Sequence, residues 1–216
     1  MKKKYPLEKR IYNFEIRAEN NDETGYIITG RPIVYNSITD LGDFDEVIDS
    51  GALDAADLSD VRFLVNHDIS RIPLARSRKN NGNNTMQFSL DADGMNLDYV
   101  KLDCDNNAEA RALWSAVGRG DISGMSFMFG VAEDRWDNLD SDHPTRHIMR
   151  ISAVIEISAC TFPAYEDTEI HARSRQTLES ARNALENARR NAEPPEGEEN
   201  IDLLKAKTKI LGGIRE

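Results

Sequence analysis

The chain has 216 residues, of which 38 are acidic and 27 are basic, so its formal net charge at pH 7 is −11. Hydrophobic residues make up 39% of the chain and charged residues 30%, a composition that suits one compact domain with extensions and excludes a wholly disordered chain. The acidic balance argues against a general binder of nucleic acids or of anionic membranes, because both need a basic surface.

The first residues form a basic stretch in this acidic chain. Residues 1–11 are predicted to be a basic N-terminal tail, in which a single acidic side chain accompanies five basic ones: Glu8 against Lys2, Lys3, Lys4, Lys9 and Arg10. No apolar segment follows this start, so we expect no signal peptide. No apolar run reaches the roughly 18–20 residues of a membrane helix, so we expect no membrane span.

The chain contains two cysteines, Cys104 and Cys160. Two are too few for a disulfide framework or a cysteine-rich zinc site in a chain of this length. We therefore expect both to be small buried apolar groups in a reducing, cytosolic compartment. The alternative is a cysteine hydrolase that uses Cys160, which is disfavoured because no histidine lies near it in the sequence.

The first half of the predicted domain, residues 12–170, is patterned mainly as strands. Alternating apolar and polar residues over Phe14–Ala18 indicate an opening strand, and Tyr26–Tyr35 indicates a second β-rich segment. Asp40–Asp60 contains eight acidic residues and no Lys or Arg, which favours a solvated loop with a short helix. The alternative for this acidic run is a surface that binds basic peptide segments.

The middle of the domain is predicted to begin with a short apolar strand at Val61–Val65. A loop over Asn66–Ala75 and a polar turn over Arg76–Asn84 follow it. Apolar residues then alternate on both sides of Asp91–Gly94, a pattern typical of a hairpin.

The second half combines one helix with two further strands. Asn106–Val117 carries the apolar stripe of a helix, which Asp105 or Asn106 would cap. Met125–Val131 and His147–Phe162 return to strand patterning. In the longer strand, apolar residues at alternate positions predict one buried face: Met149, Ile151, Ala153, Ile155, Ile157 and Ala159. The opposite face, which carries Glu156, is left for solvent or a cleft.

The composition changes after the domain. Ser174–Ala192 has apolar residues spaced three and four apart, which predicts a helical extension at residues 171–192. Residues 193–200 are predicted to be an acidic linker rich in Pro and Glu, and residues 201–216 a short amphipathic tail. A docking segment and a disordered end both fit this tail.

Three side chains could together carry hydrolytic chemistry, because a nucleophile needs a base within hydrogen-bonding reach and the base needs an orienting group. His67 follows an apolar strand, where rigid scaffolds present catalytic groups. Ser126 lies on a glycine-flanked strand, and Glu156 is a carboxylate that would need a partner if buried. From the residues alone, a purely structural role for each stays open, and so does Ser123 as the nucleophile.

The sequence indicates neither a metal site nor a nucleotide site. It lacks the paired-histidine zinc motif and a cysteine pair, and His143 and His147 have no convincing third ligand. It also lacks a glycine-rich phosphate loop. We therefore expect no metal and no cofactor.

Six blocks of residues, in order along the chain, resemble the prohead (procapsid) maturation proteases of tailed phages. They are Gly30–Asn36, Glu46–Leu53, Asn66–Asp68 with Pro73–Arg76, Gly120–Phe127, Glu156–Ser158 and Thr161–Tyr165. The resemblance spans about Ile16–Thr168, most of the chain. Each block alone is common, but the ordered series is specific.

The resemblance implies a fold that is mainly β with α (α+β): an assemblin-like β-barrel core with surrounding helices, and here a helical C-terminal extension. It implies a serine endopeptidase in which His67 is the general base, Ser126 the nucleophile and Glu156 the third member. Assemblin-type enzymes use a histidine as third member, so His147 is the alternative to Glu156. The phage pattern commonly has glycine where this chain has Met128, which we expect to narrow or reshape the cleft.

The resemblance also implies a setting and partners. Such proteases act inside assembling proheads in the bacterial cytoplasm of the host. They cleave the scaffolding segment of the major capsid protein or a separate scaffold protein, and often themselves. We expect no nucleic-acid and no membrane partner, and a homo-oligomer stays open. The alternative function is a non-catalytic capsid-assembly or scaffolding protein that retains the protease fold.

Overall fold

A computed structural model describes residues 6–12, 16–21, 25–79, 81–161 and 172–192. Within these residues the fold is mainly β with two helices, the α+β class that was predicted. The strands are β1 Leu7–Tyr12, β2 Ile16–Asn21, β3 Gly25–Val34, β4 Ile38–Asp40, β5 Asp45–Ile48, β6 Asp60–Val65, β7 Ala75–Arg78, β8 Met86–Asp91, β9 Gly94–Lys101, β10 Gly124–Asp137 and β11 Thr145–Cys160, and the helices are α1 Ala108–Gly118 and α2 Ala172–Ala192.

The described strands form two sheets. The larger sheet has the order β1-β10-β11-β5-β4, with β6 paired to β11 and β7 paired to β6, and the smaller has the order β2-β3-β9-β8. Strand β11 organises the larger sheet, because β5 and β6 run parallel to its opposite ends, Thr145–Ile148 and Glu156–Ala159. The other edge of β11 pairs with β10. Closure of these strands into an assemblin-like barrel stays a prediction.

One apolar core joins both sheets and α1. Its members include Ile33 of β3, Leu97 of β9, Phe63 of β6, Phe127 of β10 and Leu113 of α1, all buried. Burial of an apolar side chain of this size stabilises a fold by about 1.5–3 kcal/mol. The shared core therefore holds β6, β10 and β11 in fixed positions relative to one another.

The apolar residues of β11 do not alternate as predicted. Met149 is 41% exposed. The register of β11 against β10 shifts four times between Met128 and Asp134, and each bulge or irregularity resets which way the following side chains point. The buried positions consequently recur at every third residue: Ile148, Ile151, Val154 and Ile157. The predicted buried face is therefore wrong at Met149, Ala153 and Ile155, whereas Ile151, Ile157 and Ala159 are buried as predicted.

Part of the predicted basic tail is a strand. Leu7–Tyr12 pairs antiparallel with β10, and the side chain of Arg10 is fully buried. A buried guanidinium is tolerated only when it is paired, and here the carboxylates of Glu8 and Glu46 contact it. Glu46 is 36 residues away in the sequence, so local charge counting did not identify this pairing.

Two segments predicted as loops also contain strands. Asp40–Asp60 contains β5 and the end of β4, joined by turns, and the predicted short helix is absent from this described segment. Val47 and Ile48 are buried and pair with β11, which outweighs the acidic composition. Ala75–Arg78 forms β7, in place of the predicted turn, because β6 provides a pairing edge.

The predicted hairpin and first helix are confirmed. Strands β8 and β9 flank the turn at Asp91–Gly94. At Gly94 φ is +133° and a Cβ atom would lie 2.1 Å from the carbonyl oxygen of Ile33, so the turn requires glycine. Helix α1 is capped by Asn107, one or two residues beyond the predicted caps, whose side chain accepts two backbone N–H groups of the first turn.

Ala181 and Leu185 of helix α2 form a small buried apolar cluster with Phe44, which lies between β4 and β5. The role of α2 as an extension beyond the domain stays a prediction, as do the predicted domain boundaries. The predicted linker and amphipathic tail, residues 193–216, lie outside the described residues. Neither of the two described helices is long and apolar enough to cross a membrane.

Candidate active site

His67 leaves the end of β6 on a tight turn. Asn66 and His67 have φ values of +54° and +58°, and the turn is closed by the N–H of Asp68, which donates to the carbonyl oxygen of Val65 at 3.2 Å. Positive φ is uncommon outside glycine, and Asn and His tolerate it better than most residues. This turn carries the imidazole back over the neighbouring strand β11.

Asn66 anchors this turn to the end of β11. Its side-chain oxygen accepts the N–H of Thr161 at 3.1 Å, and its Nδ2 donates to Oγ1 of Thr161 at 2.8 Å. Its own N–H donates to the carbonyl oxygen of Ala159 at 3.0 Å. The strained backbone of the turn is therefore over-determined by hydrogen bonds. Sequence reasoning gave Asn66 and Thr161 no role, although both lie in the quoted motif blocks.

Ser126, His67 and Glu156 form one hydrogen-bonded chain. Oγ of Ser126 lies 2.5 Å from Nε2 of His67, and Nδ1 of His67 lies 2.5 Å from Oε1 of Glu156. Ser126 on β10 pairs with Ser158 on β11, two residues from Glu156, so the serine and the carboxylate project from the same face of adjacent strands. All three residues predicted from the sequence are brought together.

Ser158 completes the hydrogen bonding of Glu156. Its Oγ donates to Oε2 of Glu156 at 2.5 Å and accepts the backbone N–H of His67 at 3.0 Å. Both oxygens of Glu156, a residue only 1% exposed, are thus hydrogen-bonded. Sequence analysis did not assign this role to Ser158, and its signal is the spacing of two from Glu156 on one strand face.

His147 lies in a separate cluster. Its Nδ1 is 2.8 Å from a carboxylate oxygen of Asp49, and its Nε2 is 3.4 Å from one of Asp137. It sits on β11 next to β5, at the end of the strand opposite to Glu156. The Nδ1 atom of His67 faces Glu156, so the geometry favours Glu156 over His147 as its orienting group.

The nucleophile candidate is fully enclosed. Ser126 is 0% exposed, whereas the side chain of His67 is 9% exposed. The second neighbour of Ser126 is the main-chain carbonyl oxygen of Arg10 in β1, which lies 2.5 Å from its Oγ. Strand β1 therefore lies between Ser126 and solvent.

A buried ionic cluster lies beside β1. Arg10 and Arg146 are held between Glu8 and Glu46, and all four residues are at most 5% exposed. Burial alone would raise the pKa of the Glu8 carboxyl, but Arg10 and Arg146 outweigh it and hold that pKa below its usual range. Burial alone would lower the pKa of Arg146, but Glu8 and Glu46 raise it. Glu8 and Arg146 are therefore both charged at neutral pH.

The cysteines do not form a nucleophilic site within the described residues. Both are buried and unbridged. Burial, reinforced by the negative charge of Glu156, raises the pKa of the Cys160 thiol to about 12, and burial raises the pKa of Cys104 as well. Because the thiolate is the reactive species, this environment argues against a cysteine hydrolase.

Among the residues that the structure describes, one group of side chains could hold a metal ion. His143, Asp40 and Asp45 present ligand atoms within 4.8 Å of one another. Sequence reasoning paired His143 with His147 and found no third ligand, whereas the fold supplies two aspartates that are distant in the sequence. Exposed acidic groups commonly cluster in this way without an ion.

The comparisons with curated proteins and with solved structures returned no match. A family model does match residues 12–183 of the 216, and it describes the caudovirus prohead serine protease. The matched range contains His67, Ser126 and Glu156. A protease role in phage capsid maturation follows at the level of the family. Since the match covers most of the chain and agrees with the ordered motif blocks, the chain belongs to the caudovirus prohead serine protease family.

Proposed function

We propose that this chain is a serine endopeptidase in which Ser126 is the nucleophile, His67 the general base and Glu156 the group that orients the base. The observation that carries the proposal is the unbroken chain of contacts from Ser126 Oγ through both ring nitrogens of His67 to Glu156. A serine hydroxyl is a weak nucleophile unless a positioned base accepts its proton.

The geometry supports an acyl-transfer mechanism. Nε2 of His67 takes the proton of Ser126 as Oγ attacks a peptide carbonyl carbon, and the imidazolium then protonates the leaving amine as the peptide C–N bond breaks. Water, deprotonated by the same histidine, hydrolyses the ester and frees the serine. Glu156 holds the proton on Nδ1 of His67 and stabilises the imidazolium, while Ser158 keeps that carboxylate in place.

We propose peptide substrates from the assembling capsid. They are the scaffolding segment of the major capsid protein or a separate scaffold protein, together with the protease itself, inside proheads in the cytoplasm of the bacterial host. The support is the role of the matched family in capsid maturation. The net charge of −11 argues against a nucleic-acid substrate, because an acidic protein repels phosphate groups. It is compatible with a protein substrate.

The test is the intact mass of the purified chain after incubation alone and after incubation with a phage scaffold protein, the proposed substrate. We expect time-dependent cleavage by the wild type and none by Ser126→Ala or His67→Ala. Ser152→Ala is the matched control, because Ser152 is also a strand serine whose Oγ lies near a main-chain carbonyl oxygen, that of Gly130 at 3.0 Å. Cleavage by Ser126→Ala at the wild-type rate would remove Ser126 from the site.

The alternative is a non-catalytic assembly protein that keeps the fold. The complete enclosure of Ser126 favours it, because a serine that never meets a peptide has no catalytic use. This alternative predicts identical masses for wild type and Ser126→Ala at all times, together with no labelling of Ser126 by a fluorophosphonate. The endopeptidase predicts cleavage by the wild type alone.

A further inference from the structure

Strand β1 lies where a peptide substrate would lie. It pairs antiparallel with β10, with Ile11 opposite Ser126, and the addition of an extended strand to a sheet is a common mode of peptide recognition. Oγ of Ser126 is 2.5 Å from the carbonyl oxygen of Arg10. Because a C=O bond is about 1.23 Å long, the carbonyl carbon of Arg10 lies within about 4 Å of that Oγ.

The side chain of Arg10 fills an acidic pocket. Arg10 is 0% exposed, and its Nε and Nη2 lie 2.5 Å and 2.7 Å from the two carboxylate oxygens of Glu46. This is a bidentate arrangement, the geometry in which carboxylates select guanidinium groups. Glu46 belongs to β5 and so stays in place when β1 is absent.

The side chain of Glu8 meets a complementary basic group. Both of its oxygens accept hydrogen bonds from Arg146 of β11, at 2.8 Å and 3.0 Å. Glu8 and Arg10 alternate with Lys9 along β1, so their side chains enter the same face of the sheet. The body of the domain thus presents a carboxylate for one side chain of the strand and a guanidinium for the side chain two residues earlier.

We propose that β1 is the first substrate of this site, cleaved between Arg10 and Ile11, and that the site recognises peptides with a basic residue immediately before the scissile bond and an acidic residue two positions before that. This inference rests on the proposed endopeptidase function and adds its substrate class. Glu46 is the residue that selects the basic side chain, and Arg146 the residue that favours the acidic one.

Because β1 encloses Ser126, it also controls the access of other substrates to the site. While β1 is in place, no other peptide reaches a serine that is 0% exposed. Cleavage of the bond after Arg10 proceeds by attack of Oγ on the Arg10 carbonyl carbon, with the proton passing through His67 to the amine of Ile11. Water then releases residues 1–10 with a new carboxylate on Arg10, and the strand position becomes available to substrates in trans.

The first experiment follows the chain itself. The wild-type chain is incubated, and its intact mass and N-terminal sequence are measured against Ser126→Ala. We expect a product that begins at Ile11, absent from Ser126→Ala. Arg10→Lys should retain the cleavage, and Arg10→Gln should slow it at least tenfold.

The second experiment adds a substrate in trans once the intact mass shows that residues 1–10 have been removed. The substrate is the fluorogenic peptide Leu-Glu-Lys-Arg linked to aminomethylcoumarin. Replacing its Arg by Gln, or its Glu by Gln, should lower kcat/KM at least tenfold. Glu46→Gln should abolish the preference for Arg over Gln, and Glu46→Asp should restore part of it. Asp45→Asn is the matched control, because Asp45 neighbours Glu46 but faces His143. A cooperative unfolding transition of Arg10→Gln in urea establishes that the variant is folded.

The outcomes separate the two proposals. Cleavage that depends on Ser126 but falls only after residues that are not basic, at a rate unchanged in Arg10→Gln, overturns the substrate assignment and leaves the protease. Equal preference for the Arg and Gln peptides by the wild type overturns it as well. No cleavage of any substrate by the wild type removes the protease and this inference together.

Discussion

Glu156 and His67 are 89 residues apart in the sequence and meet at 2.5 Å, carboxylate oxygen to Nδ1. The contact forms because β6, which ends just before His67, runs parallel to the stretch of β11 that contains Glu156. The opposite edge of that stretch pairs with the strand of Ser126. Three neighbouring strands of the sheet, β10, β11 and β6, therefore bring Ser126, Glu156 and His67 together.

The charge of Glu156 should be required for cleavage. Glu156→Gln keeps the shape of the side chain but loses the charge that stabilises the imidazolium, so we expect the rate to fall by about 10⁴-fold. The measurement is the rate of cleavage of a capsid scaffold or of the chain itself. His147→Ala should retain the rate, because His147 contacts Asp49 and Asp137. A severe loss in His147→Ala with little loss in Glu156→Gln would reverse the assignment.

Removal of the Ser158 hydroxyl should weaken both the fold and the site. Ser158→Ala leaves the buried Oε2 of Glu156 and the N–H of His67 without this partner, so we expect a loss of about 1–3 kcal/mol in the free energy of unfolding. Misplacement of the carboxylate should also slow cleavage at least about tenfold. Urea denaturation and cleavage rates check the two effects. A variant as stable and as active as Ser152→Ala would contradict this role.

Cys160 should be inert in the folded protein. Its thiol has a pKa of about 12, so almost none of it is thiolate at pH 8 and it is buried as well. We expect iodoacetamide to leave Cys160 unlabelled under native conditions and to label it in urea, as read by mass spectrometry. Cleavage should survive Cys160→Ala. Rapid native alkylation that stops cleavage would revive the cysteine-hydrolase alternative.

The ionic cluster around Glu8 should make stability depend on pH. Because the folded-state pKa of Glu8 is lowered, its contribution is fully present above the unfolded pKa, about 4.3, and is lost as the pH falls through the folded value. In a Ser126→Ala background, which prevents trimming, Glu8→Gln should cost about 3 kcal/mol at pH 7. Denaturation at several pH values measures the difference between the two chains. That difference should shrink on acidification, and growth would refute the assignment.

Some features follow from the sequence because their signals are local. The hairpin at Asp91–Gly94 and helix α1 were predicted within a residue or two, since turn glycine, capping residue and apolar period all lie within a few positions of one another. The short apolar strand before His67 was also predicted from a local signal, the apolar run Val61–Val65. The family, and with it the candidate set of His67, Ser126 and Glu156, followed from ordered motif blocks, each of which is contiguous in the chain.

Other features were decided only by the tertiary structure. The register shifts of β11 depend on its pairing with β10, and they replace the predicted alternation with burial at every third residue. Part of the predicted basic tail forms β1, in which Arg10 pairs with Glu46, 36 residues away in the sequence. Pairing between charges and strand edges that are distant in the sequence stabilises these elements, and a short stretch of sequence does not reveal such pairing. For that reason the amino-acid sequence identified the candidate side chains, whereas the fold determined what encloses them.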